Sequence, residues 1–156
     1  MTPRAIQDDY PDEIAICYGC GRHNPKGLHI KTFWDGKEGV FRFKPAPYHT
    51  AFPGVVYGGL IASLIDCHSI GTAIAAAYQA EGCRPGSGPE ITYVTGNLNV
   101  TYLHPTPMGV ELTLRSRVKE MGLRKSVVGC DVYAQDKKCA EGEVTAVRIS
   151  SRLNAT

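Results

Sequence analysis

The chain lacks an excess of either charge: 17 Lys and Arg against 15 Asp and Glu leave a formal net charge of +2 over 156 residues. That surplus is too small and too scattered for bulk attraction to nucleic acid, so any anion site must be local. The first residues, MTPRAIQDDYPDE, lack the apolar stretch of a secretory signal. No segment approaches the roughly 20 apolar residues of a membrane span, and the expectation is a soluble, cytoplasmic protein with no membrane or nucleic-acid partner. A second Cys-x-x-Cys pair is also missing. Of Cys17, Cys20, Cys67, Cys83, Cys130 and Cys139, only Cys17-Tyr-Gly-Cys20 has ligand-like spacing, with His23 or His29 as further zinc ligands. A chain of this size folds without staples, so the reading is free thiols and a tight Gly-rich turn, with no metal and no cofactor.

What is present is 43% hydrophobic residues, enough for one globular domain over residues 1–156. Residues 1–12 and 150–156 are polar and irregular and are expected to be loose. After CYGCGRHNPKG, the segments LHIKTFW and GVFRFK alternate apolar with polar and read as a strand pair turning at Gly36. KPAPYHTAFPG, with three prolines, is an irregular loop. Residues 57–79 are then Ala, Leu and Ile with few charges, too long for a buried strand and closed by EGCRPGSGP, which predicts a helix apolar on almost every side. Four strand-like segments follow: ITYVTGNLNVTYL, VELTLRSRVKE, RKSVVGCDVYAQ and KCAEGEVTAVRIS. Their short separators predict a meander of antiparallel neighbours. A helix apolar all round needs wrapping on most of its circumference, which a curved sheet provides. The fold class is therefore α+β, a strongly curved antiparallel sheet wrapped around one long central helix.

The helix carries the chemistry. Gly58-Gly59 opens it, where the first amides have no intrahelical acceptor, sit at the positive end of the macrodipole, and can be approached closely by an oxygen. This is an oxyanion site, or else close packing of the helix start. Asp66 stands inside the apolar run, where an unpaired carboxylate costs several kcal/mol. It returns to nearly the face of Gly59, with Ser63 and Ser69 one turn to either side. Either the serines cap it, or it activates a water or attacks a carbonyl itself. Eight residues separate Gly58 from Asp66, about 12 Å along the axis, so one reacting carbon cannot touch both on one helix. A two-fold dimer with antiparallel helices side by side would join Gly58 of one chain to Asp66 of the other.

The arrangement resembles the hotdog fold, and FPGVVYGGLIASLID is similar to the signature of acyl-CoA thioesterases of the 4-hydroxybenzoyl-CoA and phenylacetyl-CoA types. CYGCGRHNPKGL upstream and NVTYLHPTP downstream share the likeness, which runs from Cys17 to Ile149. The resemblance implies hydrolysis of an acyl-CoA to acid and CoA, in a dimer or a dimer of dimers, with the Gly58 or Gly59 amide on the thioester oxygen. It implies that Thr95 falls where family members carry a hydroxyl that positions the lytic water, with Asn97 as the alternative, and that His49 lies near a polar group on the carbonyl oxygen. The family reads His-Gly-Gly where this chain has Tyr57, which implies an altered acyl pocket around Tyr57 and Ser63. CoA phosphates need local cations, for which Arg115, Arg117, Arg124 and Lys125 are candidates as one patch. The competing reading is a noncatalytic hotdog protein that binds acyl-CoA. A hotdog hydratase would pair an Asp with a His five residues on, and no Asp of this chain has one.

Overall fold

The structure is a computed structural model that describes residues 3–150; the tail expected to be loose lies, but for Ser150, outside the described residues. Six strands form one antiparallel sheet: β1 (Phe33–Trp34), β2 (Gly39–Phe43), β3 (Thr92–Tyr102), β4 (Leu112–Met121), β5 (Lys125–Ala134) and β6 (Lys137–Ile149). The sheet curves around α1 (Gly58–Ala80). Along β5 the alternation of Ser126, Val128, Cys130, Val132 and Ala134 puts one buried face toward the helix. Leu60, Ile61, Leu64 and Ile65 of the first half of α1 meet Phe41, Leu112, Leu114, Val132 and Val144, and the second half, from Ala73 to Tyr78, meets Ile91, Tyr93, Val128 and Ala146. Leu64 and Ile65 are wholly buried, each stabilising by about 1.5–3 kcal/mol.

Several expectations are corrected. The strand order is β1-β2-β4-β5-β6-β3, so the last four strands are no meander. The β4–β5 and β5–β6 hairpins form, but β3 pairs with β6 and β2 with β4. The separator between β3 and β4 is no hairpin, because its backbone is engaged elsewhere: Thr106 O accepts from Val56 N–H (2.8 Å) and Met108 N–H donates to Gly54 O (2.9 Å). Tied to the loop before α1, it crosses from one edge of the sheet to the other side. Contrary to the reading that no segment could span a membrane, α1 is long and apolar enough to do so by length and composition. It is instead a core helix, its apolar circumference covered by the sheet.

The N-terminal stretch is not loose where it is described. Ile6–Asp9 is a short 3₁₀ turn, with Ala5, Ile6 and Gln7 buried. Gln7 donates from Nε2 to Thr32 Oγ1 (3.0 Å) and accepts at Oε1 from Thr32 N–H (2.8 Å), and Thr32 Oγ1 donates to His68 O (3.2 Å). The His68 ring, between the carbonyls of Lys31 (Nδ1, 3.0 Å) and Gly39 (Nε2, 3.1 Å), is lowered to a pKa of about 4 by burial. This seam also shortens β1, because Leu28 and Ile30 give their N–H groups to Tyr18 O and Gly19 O rather than to a strand partner. Gly71 faces the seam, and a Cβ there would meet Thr32 Oγ1 at 2.3 Å and Gln7 Nε2 at 2.6 Å. Helix propensity alone makes Gly71→Ala stabilising by about 1 kcal/mol. The crowding reverses that sign, and urea unfolding is expected to show a loss of about 1–3 kcal/mol. A raised midpoint would mean that the seam yields.

Candidate active site

The chain enters α1 from the proline-rich loop, held by Tyr57 N–H to His49 O (2.9 Å). Tyr57 is the N-cap residue, extended at φ −59° and ψ 128°, and its side chain does not cap. The Gly58 and Gly59 amides thus have neither an intrahelical acceptor nor a side-chain cap. On the strand side, Tyr102 Oη donates to Gly58 O (2.7 Å), fastening the helix start to β3. An open cleft of about 350 Å³ lies there, lined by Val55, Gly58, Ile61, Tyr102, Leu103 and Thr106 among others. His49 Nδ1 accepts from Ala46 N–H (2.9 Å), which fixes the tautomer with hydrogen on Nε2, the nitrogen left to meet a ligand oxygen. Burial lowers its pKa.

Two turns on, Asp66 is half-buried and has a partner: Thr95 Oγ1 donates to Asp66 Oδ1 (2.5 Å). Burial pushes the carboxyl above its ordinary value, the Thr95 hydroxyl draws it down, and the nearby Cys17 adds an upward push. The serines do not cap it. Ser63 Oγ donates to Gly59 O (2.9 Å), and Ser69 Oγ is buried without a hydrogen-bond partner. A β-bulge at Gly96 separates Thr95 from Asn97, so that Thr95 pairs with Ala146 but Asn97 with Thr145. Paired residues share a face, so Thr95 stands with buried Ala146 on the helix side and Asn97 on the outer face.

The thioesterase superfamily's family model matches residues 53–141, a span that holds Gly58, Gly59, Asp66 and Thr95. The chain belongs to the thioesterase superfamily. A solved structure of a thioesterase superfamily protein from Shewanella loihica is 44% identical, covers 92% of this chain and 98% of its own, and superposes with a TM-score of 0.68. The fold is the hotdog fold, shared at 20% identity and a TM-score of 0.62 with a Streptococcus mutans protein solved bound to acetyl CoA, over 74% of this chain and 84% of that one. The curated acyl-coenzyme A thioesterase THEM4 of Xenopus laevis is 32% identical over 110 residues, 70% of this chain and 44% of that protein. The chain spans about half the length of the curated relatives it matches.

In this thioesterase superfamily member the expected cation patch does not form. Arg115 and Arg117 both pair with Glu38, at 2.5 and 3.1 Å, on the outer face, with the sheet between them and α1. Arg117 lies opposite Gly129, four residues along β5 from Lys125, or about 13 Å, so Arg124 and Lys125 form a separate exposed turn. Tyr57 lays its ring over Gly59: a Cβ there would stand 2.4 Å from Tyr57 Cε1.

Two site features escape sequence reading. Tyr102 reads only as an apolar strand residue. Cys67 is hidden in the helix, yet its sulfur joins Cys17 and Cys20 in a cluster whose atoms lie within 4.8 Å of one another, while His23 bonds Asp12 (2.9 Å) instead. Hydrogen bonds from Cys20 and then Cys67 hold the Cys17 thiol far below the usual range; the same sharing pushes Cys20 up to about 12 and Cys67 higher still. Tyr102→Phe removes the anchor on Gly58 O and is expected to lower stability by about 0.5–1.5 kcal/mol in urea titration. An unchanged midpoint would place the hold on the helix start elsewhere.

Proposed function

We propose that this chain hydrolyses an acyl-CoA thioester to free acid and CoA, in sites completed by two copies of the chain. The observation that carries the reading is a carboxylate bonded to a strand hydroxyl on an otherwise apolar helix whose own N-terminal glycine amides are uncapped. The name of the Xenopus laevis relative, an acyl-coenzyme A thioesterase, supports the substrate class. Thr95 spends its hydrogen on Asp66 Oδ1, which leaves Oδ2 to take a proton and the Thr95 lone pairs to orient a water. That water attacks the thioester carbon while Asp66 accepts its proton. The oxyanion forms against the Gly58 or Gly59 amide, and collapse breaks the carbon–sulfur bond to release CoA thiolate, which the proton on Asp66 neutralises. Direct attack by Asp66, through an anhydride that water then cleaves, uses the same groups.

The two halves sit about 12 Å apart along α1, so the amide must come from a second copy. β3 supports this reading. It is an 11-residue edge strand with partly exposed Val94, Leu98 and Tyr102, a form that invites pairing with another chain.

On a panel of aryl and aliphatic acyl-CoAs, Asp66→Asn is expected to cut turnover of the best substrate by about 10²–10⁴-fold, read as release of CoA thiol, with the dimer retained by light scattering. Binding without cleavage by the wild type would favour a noncatalytic acyl-CoA binder, with Tyr57 over Gly59 as the cause. Gly58→Pro tests the shared site, since proline suits the first helical position but has no N–H. Mixed and re-equilibrated with Asp66→Asn, two inactive variants should recover about a quarter of wild-type activity, because half the dimers are hybrids with one intact site each. No recovery from a mixture shown to hold hybrids would place both groups in one chain.

A further inference from the structure

Cys17, Cys20 and Cys67 come from two distant parts of the sequence, yet their sulfurs lie within 4.8 Å of one another, with Cys17 Sγ and Cys67 Sγ 3.9 Å apart. For a tetrahedral zinc site with metal–sulfur bonds of about 2.3 Å, neighbouring sulfurs stand about 3.8 Å apart. We propose that these three cysteines form a site for a thiophilic d¹⁰ cation of the zinc class, set on α1 one residue from Asp66.

The surroundings are built for it. Cys17 to Gly21 is a tight turn, with Gly21 N–H on Cys17 O (2.7 Å). Gly19 has no room for a side chain, since a Cβ would stand 2.4 Å from Cys67 Sγ, so the turn closes directly on the helix thiol. The turn is also fixed from behind by Leu28 N–H to Tyr18 O (2.9 Å) and Ile30 N–H to Gly19 O (2.9 Å), which presents the sulfurs without a folding step.

A second observation points to the same region. Tyr10 Oη is buried with no hydrogen-bond partner, and Tyr10 and Cys67 both pack against the core cluster that holds Cys20. A buried hydroxyl without an acceptor is unfavourable. Binding forms three thiolate–metal bonds, and each sulfur that still carries a proton releases it to solvent. The ion would leave a fourth position open and would fasten the 17–21 turn to the middle of α1. No step of thioester cleavage depends on it.

The test is a titration of the reduced, full-length chain with Co²⁺ and then Zn²⁺ under anaerobic conditions, alongside metal analysis of protein purified without chelator. The expected result is one ion per chain, with the sulfur-to-cobalt charge-transfer absorption of thiolate ligation and the visible bands of tetrahedral cobalt, displaced by Zn²⁺. Cys67→Ser should weaken Zn²⁺ binding at least about 100-fold, whereas Cys83→Ser, outside the cluster, should leave it unchanged. Chelation of the wild type should lower its melting temperature and added Zn²⁺ should restore it. Absence of stoichiometric binding by the reduced wild type would overturn the proposal, whatever the variants do. So would cobalt spectra without thiolate character, or binding that survives Cys67→Ser in folded protein.

Discussion

Everything in this structure answers to one constraint: α1 is apolar around nearly its whole girth, and water must be kept from it. A flat sheet or a single neighbouring helix covers one side only. Six strands bent around the helix cover the rest, and the strand that ends the sheet, β3, runs past the one place where α1 carries a carboxylate. The charge and the rim therefore coincide. Asp66 is half-buried rather than sealed, its remaining need for a hydrogen bond is met from the rim strand itself, and the same strand reaches back through Tyr102 to hold the first turn of the helix.

The two faces of the sheet divide the labour. The helix-facing side is mostly apolar, with Ser116 and Ser126 as buried polar exceptions. The outer face carries Arg115 and Arg117 on Glu38, Lys119 on Glu143, and Lys138 between Asp131 and Glu141. The Lys119 and Lys138 pairs are exposed and contribute little to stability, typically under about 1 kcal/mol each, whereas Glu38 is buried beneath its two arginines. They leave the outer face nearly self-neutralised, which removes it as an obvious landing place for a polyanionic group.

Much of this was legible in the sequence because it rested on local pattern. The length and composition of α1, the two alternating hairpins that follow β4, and the Gly58-Gly59 start are all signals of one segment at a time. What was not legible depended on partners far away. The place of β3 beside β6 follows from a connection whose carbonyl and amide groups bond the 54–56 loop. The docking of Gln7 follows from Thr32, and no periodicity in a polar segment announces it. Thr95 and Asn97 look equivalent in a strict two-residue alternation, and only the extra residue at Gly96 sends them to opposite faces. Arg115 and Arg117 alternate along β4 in a way that the sequence shows, but the acid that occupies them, Glu38, belongs to another hairpin. Cys67 escaped for a similar reason, since a thiol inside an apolar helix reads as a small hydrophobe.

The position of β3 also governs how the chain must come together as it is made. Among the described residues it pairs with β6 alone, and the paired residues are 38 to 57 positions apart in sequence. During synthesis from the N-terminus, α1 and β3 emerge while the strand that closes the wall beside them does not yet exist. The nascent chain therefore holds its most apolar helix and a long, unsatisfied strand edge side by side until the last ladder can form. Distant pairings of this kind slow folding and leave such edges open to other chains. The strand that forms the rim beside Asp66 is thus also a point at which a crowded ribosome or a helper protein would find this chain exposed.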